Sequence, residues 1–203
     1  MISMSEFWVY FQLGFRHITD LAAMDHILFL LVLAAVYHRR DWRKSLWVIS
    51  AFTVGHSVTL ALAVTGTLNL PTHLIEFLIP VTIVATAVEN LVVADRARTP
   101  WANRYRPVFA GVFGLVHGAG FANYLRELFV DRLAVPLLGF NVGIEAGQLV
   151  VLAVAAAGFA LLDQVLVHVR RTGWMPAERM RVVLVSAVVA VFATVWAFER
   201  SPW

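Results

Sequence analysis

The chain of 203 residues contains no cysteine, which removes disulfides, thiolate metal ligands and a catalytic thiol together. Charge is scarce as well: Asp, Glu, Lys and Arg make up 14% of the residues, against about 25% in soluble domains. Only five methionines occur, too few for a thioether site of the kind Cu⁺ prefers. No low-complexity tract or extended polar region interrupts the chain, so no soluble domain is expected. What remains is 60% hydrophobic with a mean hydropathy of +0.76, the composition of a membrane protein. The isoelectric point near 9.8 could point to an acidic partner, but the cations sit in short loops between apolar runs. That is the pattern of membrane topology, and nucleic acid is excluded as a partner. Met1 to Glu6 carry no basic region and no small-x-small site follows, so no cleavable signal peptide is expected.

A spanning helix needs about 20 mostly apolar residues. Six segments meet this: Leu21–Tyr37, Leu46–Gly66, Leu74–Ala94, Val108–Leu125, Ala134–Leu162 and Val182–Phe198. The short aromatic stretch Phe7–Phe15 reads as an N-terminal interfacial or re-entrant helix, and a seventh span if it crosses. The expected fold is therefore all-α: a polytopic helical bundle forming one integral membrane domain over residues 1–203. Arg39, Arg40, Arg43, Lys44, Arg96, Arg98, Arg104, Arg106, Arg170, Arg171, Arg179 and Arg181 fall on one side, and Arg16, Arg126, Arg132 and Arg200 on the other. Such a bias places the cationic side in the cytoplasm and both termini outside it. The first and fourth spans run in opposite senses and each carries a histidine, a faint echo of the inverted repeats of transporters.

Ionisable groups near the bilayer centre are expensive, roughly 2.5–3.5 kcal/mol each on insertion scales. The spans nevertheless hold Asp25, His26, His56, Glu89, His117 and Glu145, with amides at Asn90, Asn141 and Gln148. An outlay on the order of 10 kcal/mol needs a partner, water or a metal in return. Asn141, Glu145 and Gln148 are spaced four and three apart and form one polar stripe on a helical face. Glu89 lies toward the cytoplasmic end of the third span, as a second site or an exit-path carboxylate. His17 and Asp25 are eight residues apart, roughly 12 Å along an unbroken helix, so His17 joins the same site only if the chain bends near Ala22–Met24. His38, His73 and His168 fall at span ends or in loops, and Glu76 near an interface, where a solvated group needs no explanation.

Neutral imidazole and carboxylate suit Ni²⁺, Co²⁺, Zn²⁺ or Fe²⁺, whereas several histidines argue against Mg²⁺ and Ca²⁺. Two chemistries fit such a site. One is passage of a divalent ion: Asp25 and His26 capture it, His56, His117 and Glu145 coordinate it, and Glu89 accepts it. The other is an intramembrane zinc hydrolase acting on a lipid or membrane-embedded bond. There His26, His56 and His117 would hold the metal, Asp25 or Glu145 would serve as base, and Ser57 or Asn141 would polarise the substrate. Gly114 and Gly118 flank His117, and Gly139, Gly143 and Gly147 recur at four-residue spacing. Small residues permit close helix approach, so the fourth and fifth spans are expected to be neighbours at the site.

The stretches HITDLAAMDHILFLLVL, AFTVGHSVTLALA, EFLIPVTIVATAVEN, FGLVHGAGFANYL and LLGFNVGIEAGQLV resemble the HupE/UreJ family of membrane proteins, associated with metal supply to hydrogenase and urease. They cover five of the six expected spans in order. Many relatives have six positions between the first histidine and the aspartate where this chain has eight, a departure that touches His17. The resemblance implies a nickel permease or accessory protein of a bacterial inner membrane, with Asp25, His26, His56, His117 and Glu145 handling the metal. Expected partners are the lipid bilayer, a divalent transition metal such as Ni²⁺, Co²⁺ or Zn²⁺, and further copies of the chain.

Overall fold

The computed structural model describes residues 4–22, 24–37, 41–93, 102–128, 134–169 and 175–203. Seven helices and no strand occur among them: α1 (Met4–Thr19), α2 (Asp25–Ala34), α3 (Trp42–Val64), α4 (Thr72–Val93), α5 (Ala102–Leu128), α6 (Ala134–Val169) and α7 (Ala177–Glu199). Four, α3, α4, α6 and α7, are long and apolar enough to cross a membrane on their own, and α5 has the length at 27 residues. Their outward faces are apolar. Leu149, Val150, Val154, Leu161 and Val165 on α6 and Val188, Val191 and Val195 on α7 are exposed, a surface only lipid would cover favourably. The protein is an integral membrane protein.

Side-chain contacts fix the relative directions. Arg181 at the start of α7 donates to the carbonyls of Ala35 and Tyr37 just past α2, while Arg200 after α7 reaches Asp25 at the start of α2. Hence α2 and α7 are antiparallel. Thr82 of α4 meets His117 of α5 at 3.0 Å, and Glu89 meets Arg106, so that pair is antiparallel too. Glycines set the other two pairs, and both are parallel. A Cβ at Gly139, Gly143 or Gly147 of α6 would strike the carbonyl oxygens of Phe7, Phe11 and Phe15 in turn. Likewise Gly55 of α3 abuts the Gly111 carbonyl, and Gly114 and Gly118 of α5 abut those of Phe52 and His56.

One sequence expectation changes here. The glycine rows of α5 and α6 do not face each other: the first faces α3 and the second faces α1. Close approach needs a small residue on only one surface, so a glycine row announces a neighbour without naming it. The N-terminal aromatic stretch forms α1. It lies lengthwise against the first half of α6, in the same direction, while Ala34 and Tyr37 at the end of α2 share a cavity wall with Leu152 and Asp163 of the second half of α6. The two short helices thus follow one another along α6. The chain between them leaves the helix at Thr19 and resumes it at Asp25, with Asp20 Oδ1 accepting from the Ala22 amide at 2.8 Å. That Asx-type bond competes with helix continuation.

Candidate metal centre

The break between α1 and α2 brings His17, one turn before its start, against His26, one residue past its end. Their rings are 4.5 Å apart, centroid to centroid. Residue His56, in the middle of α3, lies 6.0 Å from each of them, drawn in by the close glycine contact between α3 and α5. One nitrogen from each of His17, His26 and His56 falls within a group no wider than 4.8 Å. These three alone, among the described residues, form a group of potential ligands this tight. His26 and His56 are buried, the latter completely.

Hydrogen bonding leaves the group open for an electron-pair acceptor. The Nε2 atoms of His17 and His26 and both nitrogens of His56 are buried with no partner. A buried, unpartnered imidazole nitrogen costs about 1–3 kcal/mol, and a cation held here would use the lone pairs of these three rings. The walls are aromatic. Phe121 lies tilted over His17 at 4.0 Å, Phe140 lies 5.8 Å from it, and Phe52 stands 6.3 Å from His26. Such a lining excludes water and leaves the nitrogens as the polar groups at the centre.

His117 stands at the edge, its ring 5.3 Å from that of His26. The Thr82 hydroxyl lies 2.7 Å from the Ile79 carbonyl and 3.0 Å from His117 Nε2, where donor and acceptor follow the imidazole tautomer. Nδ1 of His117 is buried without a partner, and in the tautomer protonated at Nε2 it carries the lone pair.

The carboxylates are elsewhere. Asp25 is held by Arg200, whose Nη1 is 3.1 Å from both oxygens. Glu89 accepts from Tyr105 and pairs with Arg106, which also donates to Asn90 Oδ1 at 3.1 Å. Asn90 in turn donates to the Val32 carbonyl at 2.6 Å, so this amide fastens α4 to α2. Glu145 is exposed on α6 and, with Ser57, Thr53 and Asn141, lines a separate pocket of about 310 Å³. None of the three acids is in the three-histidine group: Asp25 and Glu89 each pair with an arginine, and Glu145 faces outward. Ser57 and Asn141 line the pocket of Glu145. Gln148 is buried and accepts from Thr53 at 2.8 Å, an interhelical link between α6 and α3.

Sequence reasoning missed the arginines. Arg106 and Arg181 read as loop cations, yet both are 4% exposed; they neutralise Glu89 and Asp163. Each lies two or more residues inside its helix, which was the available signal. Arg39, Arg40, Arg96, Arg98, Arg126, Arg132, Arg170, Arg171 and His38 lie outside the residues whose side chains are described.

A family model described as HupE / UreJ protein matches residues 2–200. No curated protein and no solved structure matches the chain.

Proposed function

This chain belongs to the HupE/UreJ family, and from that premise we propose that it moves a divalent transition metal, Ni²⁺ or Co²⁺, across the bilayer in which it sits. The observation that carries this reading is the group of three imidazoles, with ligand atoms within 4.8 Å and nitrogens lacking any other partner. His17, His26 and His56 bind the ion, and His117 is the fourth donor available as the ion enters or leaves. An all-nitrogen site without thiolate suits Ni²⁺, Co²⁺ or Zn²⁺ on the chemistry of its ligands, and the family narrows this to the first two. The ion is cargo, so a ligand set that can be completed and dismantled one imidazole at a time serves better than a closed cage.

The bundle has six crossings in this reading, the first broken into α1 and α2. A discontinuous helix at mid-membrane is where transporters commonly build ion sites. The cationic loops face the cytoplasm, and both termini lie on the other side. Asp25, paired with Arg200 and 17% exposed, receives the hydrated ion first; Glu145 lines a second approach, and Glu89 follows on the exit side. The test is nickel and cobalt content of purified protein beside His56→Ala, followed by uptake into proteoliposomes. Stoichiometric exchangeable metal in the wild type and uptake lost in the variant are expected. A wild-type protein that binds neither ion after loading refutes the proposal.

A further inference from the structure

The helix pairs α1·α6 and α3·α5 are the same object seen twice. Superposing them by contact assigns Gly14 to Gly114, Phe140 to Phe52 and Ile144 to His56. A Cβ at Gly14 would lie 2.1, 2.9 and 3.1 Å from Phe140 O, Phe140 C and Ile144 N. One at Gly114 would lie 2.1, 2.9 and 3.0 Å from Phe52 O, Phe52 C and His56 N. The reverse contacts agree as well: Gly143 strikes the Phe11 carbonyl at 2.1 Å, and Gly55 strikes the Gly111 carbonyl at 2.0 Å. The sequence carries the same correspondence. Gly14–Phe–Arg–His17 answers Gly114–Leu–Val–His117, and Phe52–Thr–Val–Gly55 answers Phe140–Asn–Val–Gly143.

The two copies run oppositely. α1 and α6 point the same way, α3 and α5 the other, and α4 is antiparallel to α7, to which it is bound through Asn90 and Ser186 at 3.3 Å and Phe77 and Trp203 at 5.2 Å. Elements α1, α3 and α4 therefore correspond to α5, α6 and α7 about a two-fold axis lying across the helices. The axis is marked at two points. The pocket of Thr53, Val54 and Ser57 is completed by their mates Asn141, Val142 and Glu145. Further in, His17 and its mate His117 both lie beside His26, at 4.5 and 5.3 Å. The interval from the Gly-x-x-His motif to the Phe-x-Val-Gly motif is twelve residues longer in the first half; the extra chain contains α2, which supplies His26 at the axis.

We infer that the chain is an inverted duplication that works by exchanging the environments of its two halves, so that the imidazole cluster on the axis is opened to one face and then to the other. This rests on the transport reading above. Two halves of one ancestral design can each adopt both arrangements, and swapping them converts an opening on one face into its mirror opening on the other. The structure has such an opening in a cavity of about 1040 Å³ at the end of the bundle where α3 begins and α6 ends, lined by Tyr37, Asp41, Asp163 and Arg181 and reaching Leu149, one residue beyond Gln148. The mate of Leu149 is Ala61 on α3, the same distance from the axis toward the opposite face.

Because the chain has no cysteine, single thiols report cleanly. Leu149→Cys and Ala61→Cys would be labelled with a membrane-impermeant maleimide from each face of sealed vesicles, with and without Ni²⁺ alone. Each thiol is expected to react from its own face only, and nickel should change the two rates in opposite directions by about tenfold, the usual range for coupled sites. Leu152→Cys and Val64→Cys, the next pair of mates, replace any variant that fails to fold. A Leu149→Cys that reacts while Ala61→Cys never does, or rates untouched by nickel, overturns the exchange. Calorimetry of nickel on the unmodified chain separates the two failures: binding without exchange leaves the metal site standing, and absence of binding sinks the metal reading itself.

Discussion

Gly143→Ala offers a test of the α1·α6 contact in which geometry sets the magnitude. The new methyl would lie 2.1 Å from the Phe11 carbonyl oxygen and 2.9 Å from the Phe15 amide nitrogen, where an ordinary carbon–oxygen contact is about 3.3–3.6 Å. Both obstacles are backbone, so no rotamer change relieves them, and α1 must withdraw by about 1 Å. A gap of that size forfeits a quarter to a half of each dispersion contact, and overpacking of this kind costs about 1–3 kcal/mol. Alanine's better helix propensity returns about 0.5–1 kcal/mol, leaving a net loss of up to about 2.5 kcal/mol. The control is on the same helix. A methyl added at Gly158 would meet nothing within 4 Å, so Gly158→Ala should gain the propensity term alone. At roughly 2–4 °C per kcal/mol for a chain of this size, the two variants should bracket the wild type in thermal unfolding followed by helical circular dichroism in detergent. Since α1 also carries His17, Gly143→Ala should weaken nickel binding while Gly158→Ala should not. Equal melting temperatures for the two variants would refute the parallel α1·α6 contact.

Three further outcomes follow from the same coordinates. His56→Ala should abolish stoichiometric nickel in elemental analysis, whereas His117→Ala, which removes a donor from the edge of the group, should weaken affinity by about tenfold to a hundredfold, the effect of losing a supporting ligand contact; equal losses would place His117 among the primary ligands. Arg106→Met strands the Glu89 carboxylate and should lower stability in denaturant titration by about 3–5 kcal/mol, with most of this recovered when Glu89→Gln is added. The partly exposed pair Asp25–Arg200 (17% and 32%) should show a coupling of only about 0.2–1 kcal/mol in a double-mutant cycle, and a larger value would mean the pair is shielded from solvent by lipid or by another copy of the chain.

Much of the site was legible because a histidine in an apolar run has few reasons to be there. His26, His56 and His117 stood out on that ground alone, and the condition placed on His17, a bend near Ala22–Met24, matches a helix that stops at Thr19 and restarts at Asp25. The partners of the carboxylates were not legible, since sequence shows a charge but not what it meets: Arg106 sits 17 residues from Glu89 and Arg200 sits 175 from Asp25. The duplication was half visible. On sequence the echo between halves pairs His26 with His117, whereas the mate of His117 is His17; the inserted α2 shifts the register, and only Gly-x-x-His and Phe-x-Val-Gly survive as matching words. Helix pairing was not legible at all. Parallel contacts between helices far apart in the chain leave no local period to read.

The crossed pairing of the halves has a consequence for how the chain is made. Helix α1 finds its partner surface only when α6 is synthesised more than a hundred residues later. Until then a short segment bearing Arg16 and His17 must wait at the membrane without the groove that holds it. The α3·α5 pair closes earlier, the α1·α6 pair follows, and the contacts of α7 with α2 and α4 close last. Neither half can complete itself, because each lends one helix to the other and borrows one back. A chain severed between α4 and α5 would therefore yield two fragments that are incomplete alone and mutually required, and their reunion would rebuild both pairs at once.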